Sequence, residues 1–186
     1  MKQEVQDLTI RPATEADLPA ILEIYNEAIV NSTATADEDP QNLEQRADWF
    51  RARQEAGYPV FVAEGAGAVI GWSALSAFRP HSGYRFTAEV SVYIAAGHRG
   101  RGIGARLLAA LIDAARSRGL HTLVSVIDGS NMASVRLHRR FGFQLAGNVR
   151  QAYHKFGRWH DAVYLQLLLD PEEPGPGPAY GQVGDR

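Results

Sequence analysis

Apolar residues near the start of the chain recur with the period of a helix. From Leu18 to Ile29 they fall at three- and four-residue steps, which places them on one buried face. The preceding Thr14-Glu15-Ala16-Asp17 has the pattern of a capping box, whose side chains can satisfy free N–H groups at a helix start. This region therefore predicts a strand at about Leu8 to Arg11, a helix to about Val30, and a second helix from about Asn42 to Glu55.

The segment between the two predicted helices, Asn31 to Pro40, is small, polar and irregular. Such connections run over protein surfaces and often carry the residues that bind ligands. We expect a loop here that could border a functional site.

After the second helix the period changes to that of strands. Val60 to Glu64 and Ala68 to Ser76 flank Gly65-Ala66-Gly67, whose glycines permit the positive φ angles of a tight turn, so a hairpin is predicted. Thr87 to Ile94 then alternates, with Glu89 on the polar face and apolar side chains on the other. The sequence therefore places a carboxylate within a strand.

The remaining elements complete a mixture of helices and strands. They are a helix from the glycines at 100–104 to about Arg118, a strand Thr122–Ile127, a helix from Ser130 or Asn131 to about Phe141, and strands Phe143–Val149 and Val163–Leu169. The order β-α-α-β-β-β-α-β-α-β-β predicts one α+β domain around a mixed sheet, over residues 1–170. The Pro- and Gly-rich tail, 171–186, is expected to be disordered.

Composition narrows the class of protein. The 186 residues are 45% hydrophobic and 22% charged, which is ordinary for a single globular domain. Nineteen Lys and Arg against 21 Asp and Glu give a net charge of −2, so no overall positive field favours nucleic acid or an acidic membrane as a partner. The chain has no apolar run of the ~20 residues that span a bilayer and no leader-like start, so we expect a cytoplasmic protein.

The chain contains no cysteine. This excludes disulfides, thiolate metal sites and an acyl-enzyme formed on a cysteine. Its six histidines show neither H-x-x-x-H nor H-E-x-x-H spacing, so we predict no metal site.

The most informative stretch is Arg99-Gly100-Arg101-Gly102-Ile103-Gly104, which joins a strand to a helix. Glycines let backbone N–H groups approach an anion closely, and the start of a helix adds a favourable dipole. The two arginines add positive charge. This turn therefore predicts an anion site, for which a pyrophosphate is the natural ligand.

Three other interpretations compete for this turn. A P-loop requires Gly-Lys-Ser/Thr, and Gly104-Ala105-Arg106 lacks both the lysine and the hydroxyl. A dinucleotide fingerprint fits the glycines at 100 and 102 with Ala105, but Asp128 lies 28 positions past the first glycine where about 20 is usual. A purely structural turn remains open, although two arginines beside three glycines are unusual in a mere connection.

Two motifs resemble those of a known family. Arg99-x-x-Gly102-x-Gly104 after a strand resembles the pyrophosphate-binding signature of the GCN5-related N-acetyltransferases (GNAT). The stretch from Asn131 to Phe143, NMASVRLHRRFGF, resembles their later CoA-binding segment. The resemblance implies the GNAT fold, in which a mixed central sheet is flanked by helices, and acetyl-CoA as cosubstrate.

Three further stretches resemble one subgroup, the phosphinothricin and methionine sulfoximine acetyltransferases. They are Tyr84 to Tyr93, Ser134 to His138, and Lys155 to Asp161. With the two motifs above, the resemblance extends over about residues 8–169. It implies a small amine acceptor of amino-acid type, such as phosphinothricin, methionine sulfoximine or methionine sulfone, and a possible homodimer.

The resemblance also assigns roles to single residues. Glu89 corresponds to the general base that takes the amine proton, although a solvated residue at a strand edge or a structural ion pair is the alternative. His138 stands where many relatives have a tyrosine that protonates the departing thiolate, so it is either that proton donor or only a cofactor ligand. Without cysteine, direct transfer within a ternary complex is favoured.

The predicted cofactor-binding residues follow the two motifs and the preceding strand. Backbone groups of the strand would bind the pantetheine arm, the turn would hold the pyrophosphate, and the later segment would contact pantetheine. The full set is Val92, Tyr93, Ile94, Arg99, Gly100, Arg101, Gly102, Ile103, Gly104, Asn131, Ser134 and His138.

For the acceptor, a carboxylate is best bound by a bidentate arginine. Arg79 and Arg85 flank a predicted loop that also contains Tyr84, and we predict these three as substrate-binding residues, with ordinary surface charge as the alternative. The adjacent His160 and Asp161 do not predict a catalytic pair, and a structural turn is expected there. Acetylation of another small amine or of a protein N-terminus, and a CoA-binding module without turnover, remain alternatives.

Overall fold

The computed structural model describes residues 8–169, and the predicted tail, 171–186, lies outside this range. Its helices and strands follow the predicted order. They are β1 (Thr9–Pro12), α1 (Leu18–Asn31), α2 (Leu43–Glu55), β2 (Val60–Gly65), β3 (Ala68–Ala77), β4 (Thr87–Ile94), α3 (Ile103–Ser117), β5 (Thr122–Asp128), α4 (Met132–Arg140), β6 (Gln144–Lys155) and β7 (Arg158–Leu168).

The strands form one mixed sheet with the order β1-β2-β3-β4-β5-β7-β6. Every neighbouring pair is antiparallel except β4 and β5, which are parallel and joined through α3. Their pairing covers only Thr87–Glu89 against Thr122–Val124. Beyond Glu89, β4 continues along β3 to Ile94 while β5 continues along β7 to Asp128, so the two parallel strands separate. This separation opens the sheet at its centre.

The sheet buries an apolar layer on each face. On one face α1 and α2 pack through Ile21 and Phe50 onto a cluster that includes Trp72. On the other face α3 and α4 pack through Leu108 and Val135 onto apolar side chains of the central strands. Because strand side chains alternate, Glu89 and Tyr93 of β4 point toward α1 and α2, while Val90 is buried beneath α3.

The final hairpin is longer than the sequence predicted. The prediction ended β6 at Val149 and began β7 at Val163, whereas the strands extend to Lys155 and back from Arg158, around a turn at Phe156-Gly157. An irregularity in the pairing between Val149 and Tyr153 interrupts the alternation of side chains that the prediction relied on. The expectation of a structural turn at His160 and Asp161 is therefore wrong, because both residues lie within β7.

Candidate active site

The separated strands border a cleft of about 320 Å³, referred to below as the β4–β5 cleft. Consecutive residues of both strands line it, so main-chain groups as well as side chains face the space. Its lining comprises Glu89 to Tyr93, Ser125 to Asp128, Thr33 to Ala36 from the α1–α2 connection, and Tyr25, Asn131, Ser134, His138, Tyr153 and Ala162. The predicted loop between the first two helices does border the cleft.

Glu89 lies at the point where β4 and β5 part. It pairs with Ser76 of β3 on one side and with Val124 of β5 on the other, and it is half-buried. Burial raises the pKa of its carboxyl group above the ordinary value, while the positive charges of Arg79 and Arg53 lower it by less. A carboxylate with a raised pKa is a stronger base, which suits it to accept a proton from an amine.

His138 is enclosed within the cleft wall and only 3% exposed. Its Nδ1 lies 2.9 Å from the main-chain oxygen of Ser134, and a carbonyl oxygen can only accept, so Nδ1 carries the hydrogen. Burial lowers the pKa of His138, and this hydrogen bond offsets only part of that effect. The imidazole is therefore neutral, with an unprotonated Nε2 that has no hydrogen-bond partner among the described residues.

The glycine-rich turn adopts the geometry that its sequence predicts. Gly100 and Gly102 have φ angles of +77° and +83°, in the left-handed region that favours glycine. Gly102 caps α3, whose first N–H groups have no acceptor within the helix. The side chain of Ile103 is buried in the core, so only its main chain can contribute to the predicted site.

The two arginines of the turn differ in their contacts. Arg99 donates from Nη2 to Glu27 at 2.6 Å and from Nε to the main-chain oxygen of Ile94 at 3.1 Å. These contacts hold the turn against α1 and the end of β4. Arg101 is exposed and forms no ion pair with a described residue.

The start of α4 brings two other predicted residues into the cleft. Asn131 caps the helix by accepting a 3.1 Å hydrogen bond from the main-chain N–H of Ser134 through its Oδ1. Its amide nitrogen forms no hydrogen bond with another described residue, so it remains available to a ligand. Both side chains and His138 lie on the cleft side of α4.

The strand edge that the sequence analysis assigned to pantetheine also faces the cleft. Val92 and Tyr93 line it directly, and neither has a partner on β5 because that pairing ends at Glu89. Ile94 lies at the end of the same unpaired edge, where it packs against the core beneath α3. A free strand edge beside the N-terminus of α3 fits an extended molecule that carries amide groups and a pyrophosphate.

The predicted substrate-binding residues lie in the β3–β4 connection and do not line the cleft. Arg79 stacks on Phe78, with its Cζ 4.4 Å from the ring centroid, and its charge reaches Glu89. Tyr84 is exposed and packs edge-on against Phe78. Arg85 is exposed and donates to the main-chain oxygen of Ser82. Of these three residues, only Arg79 carries a charge that affects the pKa of Glu89.

The α1–α2 connection is held over the cleft by polar contacts that the sequence analysis did not anticipate. Lys155 donates from Nζ to the main-chain oxygen of Thr35 at 2.9 Å, and Tyr93 donates from Oη to that of Ala34 at 3.2 Å. The Oη of Tyr153 lies 3.1 Å from the main-chain oxygen of Thr33. Two of these side chains come from β6, more than a hundred residues away in sequence, so no local pattern could have indicated them.

Asp128 is the second carboxylate of the cleft. Burial opposes its ionisation, but hydrogen bonds from Ser130 and Tyr153 outweigh that effect and lower its pKa below the ordinary value. Nδ1 of His160 lies 2.9 Å from Oδ2 of Asp128, and Nε2 lies 3.1 Å from the main-chain oxygen of Lys155. Asp128 is therefore ionised, and its oxygens already accept hydrogen bonds from residues of the fold. The Glu89 carboxylate, in contrast, has no hydrogen-bond donor among the described residues.

Residues 8–169 contain neither a cluster of metal-binding side chains nor a membrane-spanning helix. No group of three or more His, Cys, Asp or Glu side chains is arranged to hold a metal ion. None of the helices is long and apolar enough to cross a bilayer.

The chain is similar to known acetyltransferases over most of its length. Residues 10–164 match the model of the acetyltransferase (GNAT) domain. The chain is 48% identical over 169 residues to an L-methionine sulfoximine/L-methionine sulfone acetyltransferase from Pseudomonas paraeruginosa, covering 90% of this chain and 98% of that protein. It is 36% identical over 166 residues to a phosphinothricin N-acetyltransferase from Streptomyces coelicolor, covering 88% and 97%.

A solved structure shares the fold. It is a GNAT superfamily phosphinothricin acetyltransferase from Sinorhizobium meliloti in complex with acetyl-CoA. It superimposes with a TM-score of 0.86 at 38% identity, over 91% of this chain and 94% of that one.

Proposed function

Because this chain belongs to the GNAT acetyltransferase family and is an acetyl-CoA-dependent N-acetyltransferase, we propose that its acceptor is the amine of a small amino-acid-like molecule. Methionine sulfoximine, methionine sulfone and phosphinothricin are the candidates, because they are the substrates named for its relatives. The observation that carries the proposal is the half-buried carboxylate of Glu89 beside the unpaired edge of β4.

The residues of the cleft, together with the end of β4 and the glycine-rich turn that follows it, fit the cosubstrate. Main-chain groups of Val92 to Ile94 would bind the pantetheine arm as a neighbouring strand does, and the amide of Asn131 would hydrogen-bond to it. The N–H groups from Gly100 to Gly104 would hold the pyrophosphate with Arg99 and Arg101. Acetyl-CoA supplies the activated thioester, and a main-chain N–H of the β4 edge would stabilise negative charge on its oxygen.

Glu89 would act as the general base. The amine of an amino acid is mostly protonated near neutral pH, so its proton must leave before the nitrogen can attack the thioester. Because burial raises the pKa of Glu89, its carboxylate is a better proton acceptor than an exposed glutamate, and it would take that proton directly or through water. The acetyl group would then pass to the nitrogen in one ternary complex, since the chain has no cysteine to carry it.

His138 would act as a cofactor ligand rather than as the proton donor. Its neutral state and the hydrogen bond from Nδ1 to Ser134 leave Nε2 as an acceptor. An acceptor atom can receive a hydrogen bond from a pantetheine N–H, but it has no proton to give to a thiolate. We infer that the departing thiolate receives its proton from water or from the acceptor amine itself.

The experiment that tests this function is the release of CoA from acetyl-CoA by the purified protein. The acceptors are methionine sulfoximine, methionine sulfone and phosphinothricin, compared with a panel of ordinary amino acids, polyamines and a peptide with a free N-terminus. Saturable turnover confined to the first three is expected. Turnover confined to the peptide or polyamines would overturn the proposed acceptor class.

We also propose that two copies of the chain associate through the β6–β7 hairpin. Phe156 and Trp159 at its tip are 56% and 60% exposed, and Val149 further along β6 is 49% exposed. Large apolar side chains exposed together at the tip of a hairpin are typical of an interface between proteins. Light scattering at micromolar concentration should give the mass of a dimer, and Trp159→Ser should shift it toward the monomer; a monomeric parent protein would contradict this.

A further inference from the structure

We propose that Arg53, in the last turn of α2, is the residue that binds the carboxylate of the acceptor while Glu89 binds its amine. This inference rests on the proposed amino-acid-like acceptor. Arg53 belongs to none of the motifs in the sequence, and only the packing of α2 on the sheet brings it near Glu89.

The position of Arg53 follows from the way α2 lies on the sheet. Arg46, two turns earlier on the same helix, has its Cζ 5.6 Å from the ring centroid of Trp72. Trp72 pairs with Tyr93 in β4, and Glu89 lies four residues before Tyr93. Seven helical residues advance about 10 Å and four strand residues about 13 Å. These similar displacements from the level of Trp72 bring Arg53 and Glu89 near each other when the helix and the strand segment run in the same direction.

The turn after α2 shows that the two displacements have the same direction. The main-chain oxygen of Arg53 accepts a 2.7 Å hydrogen bond from the N–H of Tyr58. The next residue, Pro59, accepts from the N–H of Leu75 at 3.1 Å. Leu75 pairs with Val90, the neighbour of Glu89. The end of α2 therefore adjoins the part of the sheet that carries the catalytic carboxylate.

The contacts of Arg53 leave its charge without a partner. Its Cζ lies 4.2 Å from the ring centroid of Trp49, and Nη1 donates to the main-chain oxygen of the same residue at 3.2 Å. Nε is buried without a hydrogen-bond partner, and Arg53 forms no ion pair with any described residue. Burial lowers its pKa to about 10, so it remains a cation at neutral pH.

An α-amino acid supplies the missing partner. Its amine and carboxylate share one carbon atom, so an amine that approaches Glu89 brings the carboxylate within a few ångströms of the same place. The pKa of Glu89 is lowered by the charge of Arg53, which places the two groups within electrostatic reach. A guanidinium held by an aromatic ring is ordered before the ligand arrives, so it loses less entropy on binding than an exposed side chain does.

Two nearby arginines fit this role less well. Arg46 is only 1% exposed, is enclosed by Tyr25, Trp49 and Trp72, and already donates to Gln41 at 2.7 Å. Arg79 is exposed and donates to the main-chain oxygen of Phe78. Arg53 alone combines a partly buried guanidinium, unused donors and proximity to Glu89.

The test compares Arg53→Gln with the parent protein, using methionine sulfoximine and its carboxamide, which keeps the amine and lacks the charge. KM and kcat are measured at a pH well above the pKa of Glu89, so that loss of the Arg53 charge does not alter the ionisation of Glu89. For the free acid, Arg53→Gln should raise KM between about tenfold and a hundredfold, as expected for a lost charged hydrogen bond. For the carboxamide, the variant and the parent should have the same KM.

Two controls separate this role from a structural one. Arg51→Gln changes an exposed arginine of the same helix, which pairs with Asp48, and it should leave both KM values unchanged. Arg53→Lys keeps the charge and should recover part of the lost affinity. The KM for acetyl-CoA should stay constant in all three variants, which shows that the cofactor site is intact.

The possible results are distinct. An equal loss with the acid and the carboxamide, or no loss with either, would overturn the role of Arg53. If the parent protein turns over neither compound but acetylates a different amine, the proposed acceptor class fails, and the inference about Arg53 fails with it. The assignment is supported if the KM of the parent protein is higher for the carboxamide than for the acid by the same factor by which Arg53→Gln raises the KM for the acid.

Discussion

The hydroxyl of Tyr153 donates a 2.6 Å hydrogen bond to Oδ2 of Asp128, across a sequence separation of 25 residues. The two residues come from β6 and β5, which are separated in the sheet by β7. The same hydroxyl lies 3.1 Å from the main-chain oxygen of Thr33. One phenol therefore joins the end of β5, the outer hairpin and the connection that covers the cleft.

Removing this hydroxyl tests its contribution to the fold. Tyr153→Phe should lower the free energy of unfolding by about 1–3 kcal/mol, because a charged acceptor loses one of its donors. Urea denaturation at neutral pH measures the change. Tyr164→Phe, another tyrosine of the hairpin, is the comparison variant. Equal stability of the parent protein and Tyr153→Phe would contradict the importance of the bond.

Glu89→Gln tests the proposed base. The amide cannot accept the amine proton, so kcat should fall by about 10²-fold or more while the KM for acetyl-CoA changes little. Steady-state CoA release measures both constants. Glu44→Gln, on the exposed first turn of α2, serves as the matched control and should have full activity. Unchanged kcat in Glu89→Gln would remove Glu89 from the mechanism.

The ionisation of Glu89 also determines how activity and stability respond to pH. The carboxylate is the active form and its pKa is raised, so activity should fall as pH drops through a value above the ordinary glutamate pKa. The free energy of unfolding responds to pH in the opposite direction. The folded state binds the Glu89 proton more tightly than the unfolded chain does, so stability is lost as the pH rises through the raised pKa. Glu89→Gln should therefore be more stable than the parent protein at neutral pH.

His138→Gln distinguishes a cofactor ligand from a proton donor. Because burial keeps His138 neutral, its loss should raise the KM for acetyl-CoA by roughly tenfold, as for a lost hydrogen bond, while the pH dependence of kcat stays as in the parent protein. His121→Gln, at an exposed position, should behave like the parent protein. A lower kcat with a changed pH dependence and an unchanged KM for acetyl-CoA would instead identify His138 as the proton donor.

Gly102→Ala tests the predicted pyrophosphate turn. A side chain at φ +83° costs about 1–2 kcal/mol, and relief of that strain would move the N–H groups at the start of α3. The KM for acetyl-CoA should rise while the acceptor KM stays constant. In Gly97→Ala the added methyl group meets open space, so this variant is the control. Equal KM values for both variants would argue against binding by the turn.

The Arg11–Asp17 ion pair predicts a loss of stability in acid. Two hydrogen bonds of 2.8 Å from Arg11 lower the pKa of Asp17 to about 2 despite its burial. A carboxyl group whose pKa is lowered by folding stabilises the fold at pH values above its pKa in the unfolded chain. This stabilisation is lost as the pH falls toward about 2. Asp17→Asn should remove roughly 2 kcal/mol at neutral pH and flatten the profile between about pH 4 and pH 2. An unchanged acid profile would contradict this.

Much of the fold was predictable because its signals are local. The helical spacing from Leu18 to Ile29, the capping residue Asn42 and the alternation along β4 each depend on neighbours within a few residues. The prediction failed at β6 and β7, where positive φ at Gln151 and a pairing irregularity disturb the alternation of side chains. A bulge is stabilised partly by distant contacts, such as the 2.8 Å hydrogen bond from the main chain of Gln151 to Asp161.

The sequence by itself determined the glycine turn at residues 99–104, the carboxylate within β4 and a helix start at Ser130 or Asn131, because each is defined by spacing along the chain. Only the tertiary structure decided which groups meet in the cleft. The separation of β4 from β5, the tyrosine and lysine of β6 over the α1–α2 connection, and the approach of Arg53 to Glu89 depend on packing between distant segments. Such contacts leave no local pattern, because a single arginine or tyrosine in a helix or strand is equally compatible with an exposed surface.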